Sequence, residues 1–213
     1  ASYRISLKHT SEPEAISAWL RQGDLDAKKL PASPYIPKKF RSSLKNIRTL
    51  MVQQPDNFFI RLQDICLSTG VKLVYTPCLP HAPVNGCTRW LGDNPLIQLS
   101  GRHKRNDVFW FTFFHEAGHI LMHGKKAVFM EMEATYEHDP EKELEADKFA
   151  IDNTLTEEEE QEIIESLPLT PKEIVVLSKK FNTHPAIIVG RLAHKGYLSN
   201  AAGYNYGFFR GIT

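Results

Sequence analysis

Apolar and polar positions along the chain change period several times, and each change predicts an element. Ser11-Glu12-Pro13-Glu14 reads as a capping box, with Ser11 as N-cap and Pro13 in the first turn. The helix it opens turns Ile16, Trp19 and Leu20 inward and is predicted to end near Gly23. Pro31, Pro34 and Pro37 then break the pattern and mark a linker. Two further helices fit 38–52 and 55–68, the second stopped by Gly70. Val71-Lys72-Leu73-Val74-Tyr75 alternates and is β-branched, which predicts a strand. Thr88 to Leu91 and Leu96 to Ser100 predict two more, joined by a hairpin-like turn at Gly92-Asp93-Asn94-Pro95.

The next segment, which Asn106 or Asp107 can cap, is apolar on nearly every side through Phe109, Trp110, Phe111, Phe113, Phe114, Ile120 and Leu121. A helix with that pattern is buried. Ala127 to Met132 fits an edge strand bordering a cleft, and 140–151 fits a second helix. Thr156-Glu157-Glu158-Glu159 is another capping box. Segments 171–181 and 184–194, joined at Asn182-Thr183, have the length and pattern of a helix-turn-helix. Base readout needs polar side chains at the start of the second helix. Here that start is His184-Pro185-Ala186-Ile187-Ile188-Val189, so a packing role is expected, with Arg191 left for a contact to protein or phosphate. The tail from Leu198 to Thr213 is rich in Gly, Asn and aromatics, and reads either as a lid over an apolar groove or as a loose terminus. Together the elements predict an α+β domain, a small sheet packed on one buried helix with further helices on its flanks. The expected organisation is an N-terminal helix and linker (1–37), a main domain (38–153) and a C-terminal helical segment with tail (154–213).

The chemistry sits in that buried helix. His115-Glu116-Ala117-Gly118-His119 is an HExxH motif, which supplies two metal ligands and a general base within five residues. Residues four apart share a helix face about 6 Å apart along the axis, so both imidazoles can reach one ion, and Glu116 can take a proton from an attacking water. Burying these groups in an apolar helix costs several kcal/mol unless a metal or partners compensate. A zinc site needs a third protein ligand. Glu143 and Asp147, four apart in Glu141-Lys142-Glu143-Leu144-Glu145-Ala146-Asp147, share a face with small Ala146 and Ala150 beside them. Glu143 is the expected ligand, and Asp147 is placed to hold the free ring nitrogen of a ligating histidine. Glu141 and Glu145 lie about 200° round the helix and are expected to be solvated. His123 lies too far along a straight helix to share the ion, and is expected to support the site from outside the ligand set. Cys87 is a rival ligand of the kind deformylases use. Tyr136, His138, His81 and Arg89 are candidate oxyanion donors.

Asp107-Val108-Phe109-Trp110-Phe111-Thr112-Phe113-Phe114-His115-Glu116-Ala117-Gly118-His119-Ile120-Leu121-Met122-His123-Gly124 resembles the active-site helix of the ImmA/IrrE metallopeptidases. Glu143-x-x-Ala146-x-x-Phe149-Ala150 resembles that family's second motif, which carries its third zinc ligand. Residues 86–91 and 95–100 resemble the strands ahead of the helix, and 181–192 its C-terminal helical part. The likeness spans roughly 55–197. It implies a zincin-like fold, a Zn2+ cofactor, proteolysis of regulatory proteins in the cytoplasm, and frequent fusion to a DNA-binding helix-turn-helix. The expected partner is therefore a protein or peptide substrate, a DNA-binding regulator above all, rather than nucleic acid itself. Two alternatives accompany this reading: a regulator or antitoxin module that binds a partner with little proteolysis, and a deformylase-like hydrolase.

Composition narrows the setting. With 42% apolar and 24% charged residues the 213-residue chain is ordinary for a soluble globular protein. The longest uncharged aromatic run, 108–114, is far too short to span a bilayer. Cys66, Cys78 and Cys87 are too few for a disulfide framework, and no secretory signal opens the chain, so a reducing cytoplasm is expected. The net charge of +1 hides an acidic stretch: residues 131–166 hold fifteen acids against Lys142 and Lys148, a balance of −13. Beside the expected site such charge repels nucleic acid and favours basic peptides.

Overall fold

The computed structural model describes residues 2–5, 13–125, 140–210 and 212. Its elements are β1 (Ser2–Ile5), α1 (Pro13–Lys28), α2 (Pro37–Gln53), α3 (Phe58–Ser68), β2 (Lys72–Tyr75), β3 (Val84–Leu91), β4 (Asn94–Leu99) and α4 (Asn106–Gly118). A π-helical turn, His119–His123, extends α4. There follow α5 (Pro140–Thr154), α6 (Glu157–Glu165), α7 (Pro171–Lys180), α8 (Pro185–His194) and α9 (Asn200–Asn205). The fold is α+β and zincin-like. Ser11 and Glu12 of the expected capping box, and the edge strand expected at 127–132, lie outside the described residues.

The sheet runs in the order β1-β3-β4-β2. β3 and β4 form the antiparallel hairpin, from Gly86 opposite Leu99 to Leu91 opposite Asn94. β2 joins β4 in parallel, and β1, which the sequence pattern did not reveal, pairs antiparallel with β3. Alternation along the strands separates two faces. Cys87 packs with Ile16, Trp19 and Val84, and Leu96 and Val74 pack with Ala27, so one face carries α1. Leu73, Ile97 and Leu99 turn to the other face and join Phe109, Trp110, Phe113 and Phe114 of α4.

Buried polar bonds fasten α1 to the sheet. Trp19 Nε1 donates to the Thr76 carbonyl (3.0 Å), Gln98 Nε2 to the Trp19 carbonyl (2.8 Å), and Arg89 to Gln98 Oε1 (2.7 Å), the Leu20 carbonyl (2.9 Å) and Asp24 (2.8 Å). The helix does not end near Gly23 as expected; it continues to Lys28. Gly23 is an interior helical residue whose missing Cβ leaves room for the Gln98 amide, which stands where that carbon would be. Close approach, not chain reversal, is what this glycine supplies.

One apolar cluster extends from Phe40 in α2 through α4 to Ile163, Ile174, Ile187 and Phe209. Thr156 and Thr170 each cap their helix through a reciprocal capping box. The helix-turn-helix-like pair is α7 and α8, and Ala186, Ile187, Ile188 and Val189 at the start of α8 are all buried, packed in the same cluster as the α4 aromatics. Arg191 does not point outward: its guanidinium meets the buried Glu160 carboxylate at 2.7 Å, which Lys195 also approaches at 3.1 Å. Among its described residues the tail is folded rather than loose, and it packs at the end of α4 away from the HExxH motif. Phe209 is buried, and Asn106 at the opposite end of α4 donates to the carbonyls of Phe208 and Arg210. Asn106 therefore sits inside the first turn and serves the tail, with Arg105 at the N-cap position.

His184 makes the first prediction. It caps α8 by accepting the Ala186 N–H at Nδ1 (3.1 Å), and burial drives its imidazole down to about 4. The folded state holds it neutral while the unfolded chain protonates near 6.5. Its contribution is therefore whole above about pH 6.5 and is lost as pH falls through the window down to 4. At pH 5 the loss amounts to about 2 kcal/mol by this linkage. Asn at an N-cap keeps an acceptor without titrating there. Urea unfolding of His184→Asn should thus show about 2 kcal/mol less destabilisation between pH 7 and pH 5 than the parent. Equal losses in both proteins would rule the assignment out.

Candidate metal centre

The buried amphipathic conflict in α4 is resolved at its C-terminal end. His115, Glu116 and His119 are 1, 0 and 2% exposed, and the Nε2 atoms of the two histidines face each other at 3.0 Å. α5 packs along α4 with Ala146 and Ala150 fully buried, and small side chains there let the backbones approach. Glu143 then reaches both rings, its Oε2 3.3 Å from His115 Nε2 and its Oε1 3.4 Å from His119 Nε2. The donor atoms of His115, His119 and Glu143 all lie within 4.8 Å of one another. A tetrahedral ion with ligands about 2.0–2.1 Å away separates them from each other by about 3.3 Å. Two imidazoles and a carboxylate at these spacings fit a metal ion.

The outward nitrogens of both rings are also held. His115 Nδ1 lies 2.8 Å from Asp147 Oδ1. His119 Nδ1 lies 3.0 Å from His123 Nδ1, and His123 Nε2 lies 2.9 Å from Glu145 Oε2. Glu145 is exposed, as expected of a solvated acid, yet its carboxylate also reaches His123, which the helical spacing did not show. The π-helical turn at His119–His123 and the crossing of α5 bring an acid on the other side of that helix to a histidine one turn beyond the motif. Glu141 is exposed. Burial disfavours charge on both rings, but the carboxylates of Asp147 and Glu143 outweigh it at His115 and raise its pKa. At His119 burial and the neighbouring His115 charge act together and lower it, so His119 is neutral.

Glu116 lies between α4 and β3. Its carbonyl accepts from Thr88 Oγ1 (3.1 Å). A Cβ at Gly86 would stand 3.0 Å from Glu116 Oε1 and 2.5 Å from Thr112 Cγ2. Only glycine at that point lets the strand pass this close to the carboxylate.

The rival residues are elsewhere. Cys87 points to the α1 face of the sheet, among Ile16, Trp19 and Val84, where burial pushes its thiol up to about 11. Strand alternation separates it from Gly86 and Thr88, which face α4. Arg89 shares that far face and is bound to Asp24, Leu20 and Gln98. His81 is exposed in the loop between β2 and β3, and Tyr136 and His138 lie outside the described residues. A cleft of about 770 Å³ opens at the opposite end of α4, lined by Phe58, Tyr75, Asn106, His184 and Arg210 among others, away from His115 and His119.

A buried HExxH helix, backed by a small mixed sheet and crossed by a carboxylate-bearing helix, belongs to the metallopeptidase class of zincin-like proteins. The family model described as Peptidase_M78, IrrE N-terminal-like domain, matches residues 66–189, from the end of α3 into α8. This chain is a member of that family, the ImmA/IrrE metallopeptidases. Comparison with curated proteins and with solved structures gave no match. Among the described residues, no helix is long and apolar enough to cross a membrane.

Proposed function

We propose that this chain is a zinc endopeptidase that cuts a regulatory protein of the repressor or antitoxin class at an exposed segment. The observation that carries the reading is the convergence of His115, His119 and Glu143 on one point, with Glu116 buried beside them. These three residues would hold the ion, and a two-nitrogen, one-oxygen donor set suits zinc while leaving a fourth position open. An ion held there would supply Lewis acidity, lowering the pKa of water to about 7 and polarising a carbonyl. Glu116 takes the proton of the attacking water and delivers it to the leaving amine. Asp147 fixes the ring of His115 by accepting its Nδ1–H. The acidic stretch at 131–166 favours a substrate segment carrying Lys or Arg.

A cytoplasmic protease of broad reach would harm its host, so cleavage is expected to be selective. The test incubates the zinc-loaded chain with an unfolded casein-like protein and with DNA-binding repressors encoded near it. Cleavage of one repressor at a discrete site, with the unfolded protein spared, is the expected outcome. Rapid digestion of the unfolded protein would overturn selectivity. No digestion of anything, with zinc bound, would replace the enzyme by a partner-binding regulatory module.

A further inference from the structure

The site holds one pair of residues that the proposed chemistry does not use. Glu145 Oε2 meets His123 Nε2 at 2.9 Å, and His123 Nδ1 meets His119 Nδ1 at 3.0 Å. The His123 side chain is 6% exposed and that of Glu145 is 56% exposed, so a line of polar contacts runs from the surface to the buried rings. We propose that Glu145, acting through His123, fixes the tautomer and tilt of His119 and thereby sets how tightly the centre holds its metal. The inference rests on the metal-centre reading above.

Metal ligation by His119 would set the proton placement along the line. To ligate, His119 must present a lone pair at Nε2, the atom 3.0 Å from His115 Nε2. A neutral imidazole then carries its proton on Nδ1. That N–H points at His123 Nδ1, which must accept and therefore bears no proton. His123 in turn carries its proton on Nε2 and donates it to the Glu145 carboxylate. Every bond in the line has one direction. Without the carboxylate at position 145, the partner that holds the His123 proton on Nε2 is gone. Moved to Nδ1, it would oppose the His119 N–H, and relief requires the His119 proton to shift to Nε2, the ligating atom. The carboxylate thus favours the one tautomer pair in which His119 can bind metal.

The same logic appears on the other ligand at shorter range, where Asp147 accepts directly from His115 Nδ1 at 2.8 Å. At His119 the contact at Nδ1 is the His123 ring, and that second imidazole carries the line on to a carboxylate. The π-helical turn makes this possible by widening the helix between His119 and His123, and such turns recur at functional sites. The two rings stand 5.0 Å apart between centroids and tilted at 57°, a disposition that aims one nitrogen at the other. Glu145 and His123 are positioning residues. Neither is among the three donors that converge on the ion.

The experiment measures zinc affinity by competition with a chromophoric chelator, for the whole chain and for Glu145→Ala, Glu145→Gln, Asp147→Ala and Glu143→Ala. Because position 145 is exposed, the alanine variant is expected to keep its circular dichroism and unfolding midpoint. Its zinc affinity should fall about 10–100-fold, as with loss of other outer-sphere partners of ligating histidines. Glu145→Gln retains an oxygen that accepts from His123 Nε2–H and should recover affinity to within a few-fold, taken as well below the ~10-fold lower bound for losing an outer partner. Nitrogen-15 spectra of the zinc-loaded parent should show the His119 proton on Nδ1 and the His123 proton on Nε2, with the second assignment lost in Glu145→Ala. Unchanged affinity in Glu145→Ala, alongside weakened Asp147→Ala and Glu143→Ala, would overturn this inference and leave the metal centre standing. Undiminished zinc in Glu143→Ala would overturn the metal centre itself.

Discussion

Glu116→Gln should abolish most cleavage while leaving the metal in place. The carboxylate is fully buried at the meeting of α4 and β3, and the substitution keeps its size and shape. Glutamine cannot accept the proton of the attacking water or return it to the amine. Loss of a positioned general base is typically worth about 10²–10⁴ in rate. Zinc content measured by atomic absorption should equal that of the parent, because Glu116 is not among the converging donors. Turnover of a protein that the parent cleaves should fall by that factor at unchanged substrate affinity, since the lost interaction belongs to the transition state. Cleavage at the parental rate would show that another group acts as base. The choice of an isosteric variant matters, because alanine would open a cavity between helix and strand and confound the chemistry with packing.

Glu143→Ala is expected to lose zinc outright, and Cys87→Ala to keep it. Removing Glu143 takes away the carboxylate of the described group whose donor atoms all lie within 4.8 Å of one another, and leaves its two imidazoles. Loss of a ligand should exceed the 10–100-fold seen for outer partners of ligands, so zinc should fall well below one per chain after gel filtration. Cys87 lies on the far face of the sheet with its thiol protonated at neutral pH, and thiolate is the ligating form. The opposite outcome, zinc retained in Glu143→Ala and lost in Cys87→Ala, would establish the deformylase-like arrangement in place of the one described.

Local pattern was enough for much of this. α4 follows from its aromatic run, and the HExxH spacing lies within a single helix, where four residues always return to one face. The capping box at Thr156, the hairpin between β3 and β4 and the packing face of α8 were equally readable, because each depends on neighbours within a few positions. Glu143 and Asp147 were legible for the same reason: one helix with a shared face and small residues beside it. β1 was not, since a four-residue strand has meaning only once β3 offers it an edge. Gly23 looked like a terminator in isolation, yet its role is set by a glutamine 75 positions away. The far-side placement of Cys87 had a signal in strand parity with Thr88, but only if the strand is known to begin at Val84 rather than Thr88.

By itself, then, the sequence determined which residues are candidates for the chemistry and which helices present them, because side-chain type and helical period are local quantities. It also determined the family, through two motifs whose spacing survives without reference to the fold. Tertiary structure decided what those residues face. It put Glu143 against both histidines, turned Arg89 and Cys87 to the α1 layer, sent the tail to the other end of α4, and drew Glu145 to His123 across a π-helical turn. Each of those outcomes depends on how two distant elements cross, and the crossing is fixed by the packing of side chains from both, which no single stretch of chain contains.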